Sequence, residues 1–133
     1  MVCEINAQRR AFARPPVAMQ DALDRAAGRY ARDMVRRGFF SHTSPSGSTM
    51  VDRLRSAGYL TDGVRWYAGE VLAWGSAELG TPAEIVAAWM RSPPHRRILL
   101  GRVYRDIGVG IATGTPAGAA GATYAAELGS VGP

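Results

Sequence analysis

Asp106-Ile107-Gly108-Val109-Gly110-Ile111-Ala112 sets β-branched residues against small ones in strict alternation, the pattern of a strand with two unlike faces. The small-residue run 114–121 behind it reads as a loop, and residues 122–128 return as a partner strand, so the chain closes on a hairpin. Upstream, the strongest periodic signal is helical. Met19, Leu23, Ala26 or Ala27, Tyr30 and Met34 recur at steps of three and four, and Gly38 follows in the position that ends a helix. Helices first and a late antiparallel hairpin predict an α+β domain.

Shorter elements complete the outline. Residues 2–12 read as an amphipathic helix broken by Pro15-Pro16, with Cys3 on its inward side as a small buried hydrophobe. A helix over 49–57 buries Met50 or Val51 and Leu54, and Gly58 ends it. Residues 66–72 form an apolar stretch interrupted by Gly69 and Glu70. Thr81-Pro82-Ala83-Glu84 predicts a capping box with proline in the first turn, and Ile85, Ala88 and Trp89 supply that helix's apolar face. Ser92-Pro93-Pro94-His95 closes it and opens a short helix through Leu100. Trp66, Tyr67, Trp74 and Trp89 read as core or groove packing.

The 133 residues suit a single domain over 1–133. Apolar residues at 47% and charged residues at 20% exclude a disordered chain, and no apolar run is long enough to span a bilayer. One cysteine excludes an internal disulfide framework and a multi-cysteine metal site. The first residues lack a basic segment followed by an apolar one, so an exported protein would be represented here by its mature portion. The net charge of +5 raises nucleic acid as a partner. Yet all 16 basic residues are arginine, alanine occurs 22 times, and no aromatic platform interleaves with the basic pairs. That bias favours a solvated basic surface over a nucleic-acid footprint, with an anionic cell surface as a partner the charge permits.

Few residues are equipped for chemistry. His42 and His95 are the only histidines, and both sit in proline-containing loops. Glu70 is an acid inside Ala68-Gly69-Glu70-Val71-Leu72-Ala73-Trp74, where a carboxylate needs a partner if buried. Two imidazoles and a carboxylate suit a divalent transition metal or proton sharing. On the residues alone the stronger reading is hydrogen-bonding caps and a carboxylate on a strand edge, since no short-spaced pair such as HExxH is present. Ser41 precedes His42, but no G-x-S-x-G turn presents it as a nucleophile, and Gly108-Val109-Gly110 lacks the third glycine of a dinucleotide loop.

Taken in order, five segments resemble a known family. Residues 30–34 through Gly38-Phe39-Phe40-Ser41-His42 and on to Asp52-Arg53-Leu54 and Ala57-Gly58-Tyr59, then Gly69-Glu70, Ala88-Trp89-Met90-Arg91-Ser92-Pro93-Pro94-His95-Arg96, Ile107-Gly108-Val109-Gly110 and 124–129, are similar to bacterial CAP (SCP) domains. This is the superfamily of cysteine-rich secretory proteins, antigen-five and plant pathogenesis-related proteins. The resemblance covers nearly the whole chain. It implies an α-β-α sandwich in which four or five helices flank a three-stranded antiparallel sheet, and an extracellular or cell-envelope location. It also implies a central cavity where His42, Glu70 and His95 stand at the positions of metal ligands, with Ser41 and Ser92 in the lining. The cation would be zinc or another divalent ion. Ser92 occupies the place of a second glutamate, Val71 and Ile98 replace asparagines, Pro94 a glycine, and Glu127 stands where aspartate or glutamine is common. Three functions follow: a secreted module binding a lipid, sterol, peptide or cell-wall component, which we favour over an enzyme; a metal-assisted hydrolase using the same cavity; or a structural domain acting by surface contact.

Overall fold

The computed structural model describes residues 1–132. Its elements are α1 (Val2–Ala11), β1 (Ala18–Met19), α2 (Asp21–Arg37), α3 (Met50–Ser56), β2 (Trp66–Gly75), a 3-10 turn (Ala77–Gly80), α4 (Pro82–Arg91), α5 (Pro93–Leu99), β3 (Asp106–Thr113) and β4 (Ala122–Val131). The sheet has four strands in the order β1-β3-β4-β2. The expected antiparallel trio is present as β3-β4-β2, but the sheet is mixed, because Ala18 and Met19 pair in parallel with Asp106 and Ile107. Two residues carry no alternation to be read in a sequence. Met19 therefore leaves the helix face where its spacing put it and is 65% exposed. The Gln20 side chain accepts from the amides of Ala22 and Leu23 and starts α2 after it.

Period-two alternation along the strands divides the molecule into two apolar layers. Val71, Ala126, Leu128 and Ile107 face one layer with Ile5, Ile85, Val86, Trp89 and Leu99, from α1, α4 and α5. Leu72, Ala112 and Ala125 face the other, with Ala27, Tyr30, Ala31 and Met34 of α2. Next to that second layer, Leu54, Tyr59 and Leu60 pack on Leu23 and Ala26. This is an α-β-α sandwich.

The alternating glycines of β3 explain how closely α2 lies on the sheet. A Cβ on Gly108 would stand 2.1 Å from the Leu23 carbonyl carbon, and one on Gly110 would stand 2.2 Å from that of Ala27. Helix backbone therefore rests directly on strand backbone. The Asp24 carboxylate reinforces the contact by accepting from the Val109 amide at 2.8 Å.

Several local expectations need correction. Cys3 is exposed, because Ile5 and Arg9 form the inward face of α1. On α4 Val86, not Ala88, joins Ile85 and Trp89 in the core. Of the capping box at its start, only the bond from the Glu84 amide to the Thr81 hydroxyl forms. A complete box forms instead between Thr49 and Asp52 at α3. Trp89 is buried, but Tyr67 and Trp74 are each 47% exposed and lie outside the core.

Candidate functional site

Two carboxylates stand side by side in the middle of the sheet. Glu70 of β2 is the register partner of Glu127 of β4, on the face that carries Leu72 and Ala125 toward α2. Both are buried, Glu70 at 4% exposure and Glu127 at 1%. Like charges so placed cannot both ionise at low cost, so the pair divides into one charged and one neutral member. Burial, then hydrogen bonding to Glu70 and its negative charge, pushes the Glu127 carboxyl well above the usual range. Burial also pushes Glu70 up, but hydrogen bonds with His42 and Glu127 and the charge of Arg53 outweigh it and hold the carboxyl below its usual value. Glu70 is the carboxylate and Glu127 the acid. Oε2 of Glu127 has no hydrogen-bond partner among the described residues.

Arg53 supplies the counter-charge. The Thr49–Asp52 box fixes the start of α3, and Arg53 follows immediately. Its Nη2 donates to Glu70 Oε2 at 2.7 Å and to the His42 carbonyl at 3.0 Å, while Nη1 donates to the Ser48 carbonyl at 3.0 Å. The guanidinium lies on the Tyr30 ring, 3.4 Å from its centroid. The Tyr30 hydroxyl donates to the Ser41 carbonyl, and burial raises its pKa to about 12, so it stays a donor. Ser44 Oγ meets the hydroxyls of Ser46 and Ser48 and accepts from the Ser48 amide, which stiffens the loop between His42 and α3.

His42 caps the cluster. Its Nδ1 lies 2.7 Å from Glu70 Oε1, and because an ionised carboxylate only accepts, the imidazole is the donor. This bond raises the His42 pKa against the effect of partial burial. The side chain is 61% exposed, against 2% for its partner. His95, in the first turn of α5, is held by a 2.9 Å hydrogen bond between its Nδ1 and Ser92 Oγ. Burial and then the charge of His42 lower its pKa. Trp89 positions that helix junction by donating Nε1 to the Leu72 carbonyl at 2.9 Å.

The structure thus brings His42 and Glu70 into contact, sets His95 within electrostatic reach of His42, and bonds Ser92 to His95. Ser41 contributes its carbonyl, while its hydroxyl accepts from the Thr43 amide. Both imidazoles bond through Nδ1, which leaves Nε2 of each for a ligand. Among the described residues no three His, Cys, Asp or Glu side chains are grouped as a metal site needs. Arg53, Tyr30 and Glu127 are the cluster residues that the sequence did not single out. Glu127 carries the same signal as Glu70, an acid inside an apolar strand. Arg53 and Tyr30 carry none, since their roles depend on a partner distant in the chain.

A family model described as "CAP: Cysteine-rich secretory protein family" matches residues 2–125. The chain belongs to the CAP family. This CAP domain is 35% identical over 107 residues to the uncharacterized protein YkwD of Bacillus subtilis (strain 168), a match covering 79% of the chain and 38% of YkwD. It is similar to an extracellular protein containing a SCP domain from Bacillus anthracis str. Ames, with a TM-score of 0.76 and 25% identity over 93% of this chain and 37% of that one. It shares its fold with an outer surface protein of Borrelia burgdorferi, with a TM-score of 0.78 and 23% identity over 96% of this chain and 87% of that one. The CAP domain therefore spans little more than a third of the curated relative. No helix among the described residues is long and apolar enough to cross a membrane.

Proposed function

We propose that this CAP domain is a non-catalytic binding module that works outside the cytoplasm, in the cell envelope or beyond it. Its ligand site is the open side of the His42–Glu70–Arg53 cluster, and the ligand is a lipid, a sterol, a peptide or a cell-wall fragment. One observation carries this reading: each oxygen of Glu70 is already held, by His42 and by Arg53. A carboxylate bound in this way is a weak base, which argues against its use as the general base of a hydrolysis. What faces solvent is the His42 imidazole, suited to hydrogen-bond a ligand. The extracellular and outer-surface descriptions of two similar structures support the location.

A second reading rests on the free Nε2 of each imidazole, since both rings bond through Nδ1. A divalent cation such as zinc would be held by Nε2 of His42 and of His95, with Glu70 orienting His42 through Nδ1 rather than touching the ion. The bound ion would then act as a Lewis acid in the metal-assisted hydrolase alternative.

The test follows the imidazole signals by NMR while cell-wall digest, sterol micelles or zinc chloride is added, beside assays for peptide and ester cleavage. The binding-module reading expects the His42 and His95 signals to shift with no turnover. Turnover that His42→Ala abolishes at an unchanged melting temperature overturns it.

A further inference from the structure

Two stretches of this chain contain arginine and no carboxylate. Residues 5–16 hold Arg9, Arg10 and Arg14, and residues 90–105 hold Arg91, Arg96, Arg97, Arg102 and Arg105, with no Asp or Glu in either. The other 105 residues carry eight arginines against all eleven acids, a balance of −3. The fold joins the two basic stretches. Arg9 Nη1 donates to the carbonyls of Leu99 and Gly101 at 2.7 and 3.1 Å, and Arg14 Nε donates to that of Leu100 at 2.9 Å. Arg9 is buried, and among the described residues no carboxylate stands beside it and Nη2 of its guanidinium has no partner. None of the eight arginines makes an ion pair among the described residues.

A groove of about 680 Å3 lies on this face, lined by Arg14, Arg91, Arg96, Arg97 and Arg102. Its lining also includes the apolar Phe12, Met90 and Leu100. The Arg96 guanidinium lies over the Phe12 ring, 4.6 Å from its centroid, and that ring is 39% exposed. By contrast, the arginine-lined hollow beside Tyr30 also contains Asp33, which pairs with Arg37.

We propose that this face docks the domain peripherally on an anionic phospholipid bilayer, independently of what the His42 imidazole binds. Planar guanidinium groups match phosphate oxygens in pairs, and several unpaired cations on one face give the field that draws a protein to an anionic surface. The apolar side chains decide between lipid and a soluble polyanion. Phe12 beside the arginines is suited to the headgroup boundary, where an aromatic ring is half in contact with acyl chain. A phosphate polymer in water offers that ring nothing.

Co-flotation of the whole chain with vesicles tests the proposal, using phosphatidylcholine alone or with about one-third phosphatidylglycerol. Binding is expected only with phosphatidylglycerol and is expected to weaken at high salt. R96E/R97E is expected to lower it about tenfold or more, at about 1 kcal/mol per cation near such a surface. Phe12→Ser is expected to lower it further. R91E/R102E repeats the test if the first pair fails to fold. The charge-matched control R25E/R55E, on α2 and α3, is expected to bind nearly as the parent does. Equal loss in the control would overturn the proposal, because net charge alone would then be responsible. Tight binding of soluble polyphosphate without vesicle binding would also overturn it, by excluding lipid as the source of phosphate.

Discussion

Arg53 is clamped between Tyr30 and Glu70: its guanidinium lies 3.4 Å from the ring centroid on one side and donates to the carboxylate at 2.7 Å on the other. The Arg53 side chain is 12% exposed and that of Glu70 2%. Arg53→Ala would leave a buried carboxylate without its counter-charge, which costs about 3–5 kcal/mol. Arg53→Lys keeps the charge but loses the planar stack and part of the hydrogen-bond fan. Urea denaturation at neutral pH is expected to place lysine between alanine and the parent.

The two central glutamates should respond oppositely to neutral substitution. Glu127 is already the protonated member, so Glu127→Gln preserves its state and is expected to keep or raise stability at pH 8. Glu70→Gln strands Arg53 and is expected to cost about 3–5 kcal/mol. Paired denaturation curves check this, and equal losses would refute the division of charge.

The same division determines pH dependence. The depressed Glu70 pKa contributes stability that is complete above the ordinary 4.5 and lost as pH falls through the folded value. The raised His42 pKa contributes stability that is complete below 6.5 and lost as pH rises through its folded value. Glu127 binds its proton more tightly when folded, so stability declines as pH rises above 4.5 toward its folded pKa. For these three groups a maximum is expected near pH 4.5, where Glu70 has nearly its full effect and Glu127 has only begun to lose stability. Thermal melts across pH should show it, and Glu127→Gln should flatten the alkaline decline.

The histidines are expected to titrate apart, His42 above 6.5 and His95 below it. Side-chain NMR reads both. Glu70→Gln should bring His42 down toward its ordinary value, and His42→Ala should raise His95 by the part of its shift that comes from charge.

Packing of α2 on β3 gives a fifth test. Gly108→Ala or Gly110→Ala forces a methyl into helix backbone that has no flexible end to yield, at a cost of about 3 kcal/mol, the upper range of overpacking. Gly28→Ala, within α2 itself, meets only the end of the Arg32 side chain at 3.3 Å. It is expected to stabilise by about 0.5–1 kcal/mol by relieving helix entropy. Denaturation midpoints distinguish the two directions.

Long, regular signals in the sequence carried into the structure, and short ones did not. The three-and-four spacing of α2 and the alternation of β3 are each repeated over several residues, so a single local contact does not override them. β1 is two residues long and exists because β3 offers an edge beside it. Cys3 and Ala88 were misplaced by about one helical step, which is within what a short apolar stripe leaves open. In the site, His42 and Glu70 were legible because an acid in an apolar strand demands a partner. Arg53 was not, because an arginine on a short helix looks like any solvated cation until Tyr30 and Glu70 are seen around it.

The bonds from Arg9 to Leu99 and Gly101 join positions ninety and ninety-two apart. A chain emerging from the ribosome thus exposes the apolar side of its first helix until nearly the whole domain has been made. A premature stop before Leu99 would leave the Arg9 guanidinium without these two acceptors, held only by the Pro15 carbonyl of its own neighbourhood.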